Sequence, residues 1–238
     1  MVTSILPLRI DAAVVQRRGA RLIGPIDLTL GPTGITIVLG PNGSGKTSLL
    51  RLMHGMERAA KGSVAWAIPE TDARERRAFV FQTPTMMRRS VTDCIAYALT
   101  VAGTKRSEAR LRAKEMACQV GLEHALERSA RVLSGGEKQK LAVARALIRA
   151  PEVLLLDEPC ANLDGRATRE IETIQGDAKA HGTRIVMSTH DLGQAARLAD
   201  DVVFMLHGRV HETGTAEKFF AAPSTPEAHA FLNGQIVE

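Results

Sequence analysis

A glycine-rich segment, GPNGSGKT at Gly40–Thr47, constrains the fold of this chain more than any other feature. It follows an apolar stretch, Ile35–Leu39, that is typical of a buried strand. It opens a helical pattern that continues to about Met56. Glycines permit backbone angles and close approaches that side chains block, and a helix N-terminus attracts anions. The order of strand, glycine loop and helix therefore predicts a phosphate-binding site in an α/β fold.

Within this segment, Lys46 is predicted to reach the terminal phosphates of a nucleotide, and Thr47 to offer its hydroxyl to Mg²⁺. The remaining loop residues would contribute backbone N–H groups. The predicted nucleotide contacts are Gly40, Pro41, Asn42, Gly43, Ser44, Gly45, Lys46, Thr47 and Ser48.

Two acids follow a second apolar strand pattern, VLLLDE at Val153–Glu158. In α/β folds the carboxyl ends of parallel strands form the edge where ligands bind. Asp157 is a predicted Mg²⁺ ligand, because Mg²⁺ prefers hard oxygen donors. Glu158 is the predicted general base that polarises the attacking water.

The composition is that of a soluble globular domain, with 45% hydrophobic and 24% charged residues and no apolar run near the ~18 residues of a membrane span. The net charge of +5 is compatible with a nucleic-acid or anionic membrane partner, or with a solvated basic exterior. No aromatic residues accompany the arginine clusters, which argues against nucleic acid. The three cysteines, Cys94, Cys118 and Cys160, are scattered, which favours a reducing cytosol.

Alternating strand and helix patterns predict a mostly parallel sheet covered on both faces. Two segments with β character near the N-terminus, Leu8–Val15 and Pro25–Leu30, precede it. The stretch Ser90–Ala130 is helical by period and starts with the Ser-x-x-Asp spacing of a capping box. We therefore expect it to lie outside the sheet as a helical subdomain. A late hairpin is predicted around His207–Arg209.

These residues, with LSGGE at Leu133–Glu137, resemble the ATP-binding cassette family, the nucleotide-binding subunits of ABC transporters. The resemblance covers nearly the whole chain. It implies a P-loop NTPase of the ABC-ATPase fold over residues 1–238. Residues 1–89 and 131–238 would form the catalytic core with an N-terminal antiparallel β subdomain, and residues 90–130 the helical subdomain.

The resemblance also implies roles for further residues. Gln82 matches the family's glutamine that senses Mg²⁺ and the γ-phosphate, and His190 matches the switch histidine that contacts the γ-phosphate. The signature residues Ser134, Gly135 and Gly136 would meet ATP bound to a second copy of the chain, which makes the active form a dimer. Asp164 belongs to the loop Ala161–Asp164 that would cross the dimer interface. The catalytic set is then Lys46, Gln82, Glu158 and His190, with ATP and Mg²⁺ as ligands.

The sequence departs from the family pattern in three places. Glu137 replaces the commoner glutamine of the signature. Cys160 and Asn162 alter the approach to Asp164. The first hairpin, Val14–Ile23, lacks the aromatic residue on which the family stacks adenine, so that Arg17 or Arg18 could stack instead.

No membrane span is fused to this cassette, so the resemblance implies separate permease subunits, with Thr83–Ala98 as their contact, and a solute-binding protein. The expected location is peripheral, on the cytoplasmic face of the membrane. Finer resemblance is to bacterial oxyanion importers of the tungstate type, with phosphate and molybdate next. Two alternatives stay open at this point: the ATPase subunit of an exporter, and a soluble ABC ATPase acting on nucleic acid. We expect no nucleic-acid partner.

Overall fold

The computed structural model describes residues 3–237, so residues 1, 2 and 238 of the predicted domain lie outside it. The strands are Leu8–Arg17 (β1), Ala20–Leu30 (β2), Ile35–Leu39 (β3), Lys61–Ala65 (β4), Arg77–Val80 (β5), Val153–Asp157 (β6), Arg184–Ser188 (β7), Asp201–Leu206 (β8) and Arg209–Thr215 (β9). The α-helices are Lys46–His54 (α1), Glu70–Glu75 (α2), Val91–Val101 (α3), Arg106–Gln119 (α4), Gly135–Leu147 (α5), Gly165–Ala180 (α6), Leu192–Leu198 (α7), Ala216–Ala221 (α8) and Pro226–Leu232 (α9).

The strands form two sheets. The larger sheet has the order β5-β6-β7-β3-β8-β9, in which all neighbouring pairs are parallel except the antiparallel pair β8 and β9. The smaller sheet has the order β2-β1-β4 and is antiparallel. The predicted α/β fold class, with a mostly parallel core and an N-terminal antiparallel sheet, is therefore confirmed.

The central strands are buried on both faces, which explains their continuous apolar sequences. Side chains alternate across a strand, so neighbouring residues enter different packing layers. Ile37 of β3 packs in one hydrophobic cluster with residues of α3, α5 and α6. Its neighbour Val38 packs in the other cluster, with residues of α1 and the small sheet. The core thus consists of two layers, one on each side of the parallel sheet.

The segment between β5 and α5 contains α3, α4 and two short 3₁₀ turns. Ser90 caps α3, and its Oγ accepts a hydrogen bond from the Asp93 N–H at 3.1 Å, as the Ser-x-x-Asp spacing predicts. Cys94 and Ile95 of α3 belong to the same hydrophobic cluster as Ile37 of β3. The segment therefore packs against the core, while its assignment as a separate subdomain of residues 90–130 stays a prediction.

The hairpin between β8 and β9 turns at His207 and Gly208, where the sequence predicts it. Both residues have positive φ, 49° and 74°, as a two-residue turn between twisted strands requires. Two short helices, α2 and α7, are not predicted from the sequence.

Candidate nucleotide-binding site

Two glycines of the loop between β3 and α1 lie where a larger residue would displace its neighbours. Gly40 has φ 144°, and a Cβ atom there would lie 2.2 Å from the Met205 carbonyl oxygen. Gly45 has φ 102°, and its Cβ would lie 2.4 Å from Ile23 Cγ2. The loop thus packs closely against β8 and the small sheet. It leads directly into the N-terminus of α1, where free N–H groups favour an anion.

Lys46, the first residue of α1, folds over this loop. Its Nζ donates hydrogen bonds to the carbonyl oxygens of Gly40, at 2.9 Å, and Pro41, at 3.1 Å. It also lies 4.0 Å from Glu158 Oε1. Burial lowers the pKa of Lys46, and the carboxylates of Glu158 and Asp157 act in the opposite direction. A buried ammonium group at this position can bind phosphate oxygens.

Asp157, at the end of β6, is held by hydroxyl groups from two neighbouring elements. Thr47 Oγ1 on α1 donates to Asp157 Oδ1 at 2.9 Å, and Ser188 Oγ at the end of β7 donates to the same oxygen at 2.8 Å. Asp157 is buried, with 4% of its surface exposed. A hydroxyl beside a single carboxylate is a donor set that suits Mg²⁺, which usually binds one or two carboxylates together with substrate phosphates.

Glu158 lies next to the same edge of the sheet. Its Oε2 accepts a hydrogen bond from Gln82 Nε2 at 3.3 Å and lies 3.1 Å from His190 Nδ1. Its N–H donates to Ser188 Oγ at 3.0 Å and to the Ser188 carbonyl oxygen at 3.1 Å. The backbone of Glu158 has φ 43°, in the left-handed region that side chains other than glycine rarely adopt. The N–H of this strained residue is thus bound by two hydrogen bonds to Ser188.

Most of the predicted phosphate-site residues line one cleft of about 600 Å³, a size typical of small-molecule sites. The predicted residues in its wall are Asn42, Gly43, Gly45, Lys46, Thr47, Ser48, Gln82, Glu158 and His190. The predicted residues Gly40, Pro41, Ser44 and Asp157 belong to the loop and strand that adjoin it. The sheet and its loops thus bring together the residues that the motifs single out.

The signature residues lie in a different cleft, which shares no lining residue with the first. Ser134 caps α5 in a capping box, because its Oγ accepts from the Glu137 N–H and Glu137 Oε2 accepts from the Ser134 N–H. A Cβ on Gly136 would lie 2.9 Å from Ala167 Cβ, so α5 and α6 approach closely there. Gly135 begins α5 between them.

Asp164 lines this second cleft with Ser134 and Gly136, and not the phosphate cleft. Its Oδ1 accepts hydrogen bonds from the N–H groups of Arg166, at 2.9 Å, and Ala167, at 2.8 Å. It is therefore the N-cap of α6, a role that stabilises a helix by about 1 kcal/mol.

Neither Ser188, which contacts Asp157 and Glu158, nor Leu22, which lines the phosphate cleft, was predicted from the sequence. The Ser188 hydroxyl donates a hydrogen bond to Asp157 and accepts one from the Glu158 N–H. The sequence feature that could have identified it is its position at the end of a buried strand, which it shares with Asp157. Leu22 of β2 lines the cleft, whereas the Arg17 side chain is paired with Glu57. The stacking of an arginine on adenine stays a prediction.

A buried strand, a glycine loop that opens a helix with Lys-Thr, and a carboxylate at the end of a nearby parallel strand define a P-loop nucleoside triphosphatase. The chain matches the ABC transporter family over residues 23–161, more than half of its length, and it belongs to that family. It is an ATP-binding subunit of this family and an ATPase.

Its relatives include the "Phosphate import ATP-binding protein PstB 2" of Natronomonas pharaonis, 35% identical over 92% of this chain and 84% of that protein. The "Tungstate uptake system ATP-binding protein TupC" of Peptoclostridium acidaminophilum is 37% identical over 85% of this chain and 94% of that protein. Among solved structures, cbiO1 from Clostridium perfringens, described as part of the ABC transporter complex cbiONQ, superposes with a TM-score of 0.81. It is 27% identical, over 90% of each chain. Within residues 3–237, no helix combines the length and apolar character needed to cross a membrane.

Proposed function

We propose that this chain powers a bacterial ABC importer, and that two copies of it close on two molecules of ATP. One observation carries the dimer: within one copy, the phosphate loop and the signature loop line separate clefts with no residue in common. A second copy, turned by a two-fold axis, would bring each signature loop to the partner's phosphate loop. Ser134, Gly135 and Gly136, at the N-terminus of α5, would then meet the γ-phosphate.

In each phosphate cleft, the loop N–H groups and Lys46 would hold the phosphates. Thr47, Asp157 and Gln82 would hold Mg²⁺, which supplies positive charge that offsets the charge of the phosphate oxygens. Glu158 would accept a proton from the attacking water, since its carboxylate is oriented by Gln82 and His190. His190 would support the γ-phosphate.

ATP would drive the cycle by binding the closed dimer more tightly than the open one. Shifting a population from mostly open to mostly closed takes about 5.5 kcal/mol of differential binding. Two triphosphates, each contacted by both copies, would supply it. Hydrolysis removes the phosphate that joins the two copies, and the dimer reopens.

The contact with a permease would lie beside Gln82, on a groove between β5, α3 and α5. Phe81, Tyr97 and Val101 line this groove and are large hydrophobic residues with 43%, 40% and 69% of their surfaces exposed. Arg145 and Arg149 border it. We infer that it receives an apolar segment of a membrane subunit, which would keep the chain peripheral on the cytoplasmic face. Met86 and Met87, within the predicted contact Thr83–Ala98, are partly buried against the core.

We propose an oxyanion such as tungstate as the cargo, with phosphate or molybdate next. The named relatives support an anion but differ between phosphate and tungstate at similar identity. The cargo would be recognised by a solute-binding protein of the same system and not by this subunit. The net charge of +5 keeps a soluble ATPase acting on nucleic acid as the alternative from another class, and an exporter subunit as the nearer one.

The test is co-purification after expression with the membrane and solute-binding proteins encoded next to this chain. Titration of that solute-binding protein with tungstate, molybdate and phosphate follows. Recovery of a complex with the permease, and submicromolar tungstate binding, would support both importer and cargo. Recovery with nucleic acid and without a permease would overturn the transport proposal.

A further inference from the structure

The acid in the signature loop, Glu137, contacts an imidazole and a guanidinium group from the preceding segment. Its Oε1 lies 2.9 Å from His124 Nε2 and 3.6 Å from Arg128 Nη1, while its Oε2 accepts the Ser134 N–H at 2.8 Å. The Ser134 N–H lowers the pKa of Glu137 to about 2, with His124 as the next contributor. Glu137 is therefore a carboxylate at every physiological pH.

This charge has two opposed effects. In the first turn of α5, the Glu137 carboxylate interacts favourably with the helix dipole and accepts the Ser134 N–H of the capping box. In the proposed closed dimer, however, the same turn meets the triphosphate of the second copy, and two negative charges repel at short range. An acid at this position therefore needs compensation that a neutral glutamine does not.

We propose that His124 and Arg128 are positioning residues that hold Glu137 against the Ser134 N–H and balance its charge, so that the signature loop can accept a triphosphate. This inference rests on the proposed dimer. Arg128 is always charged, whereas His124 is charged only when protonated.

Of the other charged residues that line the cleft, the basic ones are paired with a glutamate and the rest are acids. Lys140 Nζ donates to Glu170 Oε2 at 2.9 Å, and Arg166 Nε donates to Glu170 Oε1 at 3.0 Å. Asp164 caps α6. The charged lining residues besides His124 and Glu137 are Glu123, Lys140, Asp164, Arg166, Glu170 and Asp177. In addition, Arg131 and Lys138 lie nearby in sequence on the adjoining turn and helix.

The experiment measures the ATP-driven dimer dissociation constant by sedimentation in a Glu158→Gln background, which we expect to trap the dimer. His124→Ala should raise this constant about tenfold, because a loss of about threefold per site acts twice in a two-fold dimer. His124→Ala combined with Glu137→Gln should match Glu137→Gln alone, which we expect to dimerise at least as tightly as the parent. If His124→Ala weakened the dimer equally with and without the Glu137→Gln substitution, His124 would have a merely structural role and the proposal would be overturned.

A conservative replacement supplies an independent readout. His124→Gln keeps a hydrogen-bond donor that can reach Glu137, so it should fold normally and restore part of the dimerisation that His124→Ala loses. The matched control is His211→Gln, because His211 Nε2 lies 3.1 Å from Glu227 Oε2 in another histidine–glutamate pair, on β9 and α9. Dimerisation of His124→Gln as weak as that of His124→Ala would contradict the proposal.

The two proposals fail differently. If the Glu158→Gln chain binds ATP and stays monomeric at every concentration, the dimer proposal is wrong and this inference falls with it. If it dimerises and His124→Ala has no effect, only the role of His124 is wrong.

Discussion

His190 Nδ1 lies 3.1 Å from Glu158 Oε2, although the two residues are separated by a whole helix in the chain. They meet because β6 and β7 are neighbours in the parallel sheet and both end at the same edge. Gln82, which follows β5 on the other side of β6, contacts the same Glu158 oxygen. Three adjacent strand ends thus converge on one carboxylate.

Replacing this carboxylate tests its role as the base. Glu158→Gln should bind ATP with unchanged or tighter affinity and hydrolyse it on the order of 10²–10⁴ times more slowly, since the amide cannot accept the proton. Phosphate release and nucleotide binding should be measured together. Glu227→Gln, in the exposed pair with His211, is the matched control and should turn over normally. Normal turnover by Glu158→Gln would remove Glu158 from the catalytic set.

Ser134→Arg tests the signature loop. The long side chain should block contact with a second copy, so that ATP still binds each monomer while ATP-driven dimerisation is lost. Loss of the Ser134 cap should also cost α5 about 1 kcal/mol. Thr215→Arg removes the N-cap of α8 with a similar change in bulk and serves as the control for that cost. Dimerisation of the Ser134→Arg chain on ATP would show that the loop does not face the nucleotide of a partner.

Substitutions at two glycines of the phosphate loop distinguish the energetic cost of a positive φ from the cost of a steric clash. At Gly43 (φ 81°) a Cβ meets no atom within 4 Å, so Gly43→Ala should cost only the backbone term of about 1 kcal/mol. At Gly40 the Cβ would clash with the Met205 carbonyl of β8, and Gly40→Ala should cost on the order of 3 kcal/mol. Urea unfolding of both variants measures the difference. Equal costs would mean that the loop moves away from β8 without penalty.

His54, in the last turn of α1, should make stability depend on pH. Burial, with a contribution from Arg77, holds its pKa at about 4, against 6.5 for the free side chain. The unfolded chain therefore binds the proton more readily, and the stabilising contribution is lost as pH falls from about 6.5 to about 4. His54→Leu should flatten the dependence of the unfolding free energy on pH across that window. An unchanged slope in His54→Leu would refute the assignment.

The sequence predicts the elements of the phosphate cleft well because each has a strong local signal. The apolar run of β3 and the glycines after it need no tertiary information, and the structure has β3 at the predicted residues Ile35–Leu39. The contact of Ser188 with Asp157 is different, because it depends on the order of strands in the sheet. Strand order is a property of packing between distant segments, and no local pattern specifies it.

The two helices that were not predicted are short. The first, α2, has six residues and no side-chain cap, so its only signals are Pro69 before it and acids in its first turn. The second, α7, begins after Asp191, whose side chain accepts from the Gln194 N–H, but this cap directly follows His190, which drew attention to the site and not to a helix. Helices of this length are stabilised by packing and not by their own propensity, so periodicity gives little warning of them.

The positive φ of Glu158 brings two requirements into conflict at one residue. The backbone angle favours glycine, whereas the proposed role as base needs a carboxylate. Selection for a durable fold alone would place glycine there, because glycine adopts φ 43° at no steric cost. Glu158→Gly is thus expected to give a chain that melts at a higher temperature and no longer turns over ATP. That pair of results, a higher melting temperature together with lost turnover, would mean that the glutamate serves activity at the expense of the stability that its own backbone permits.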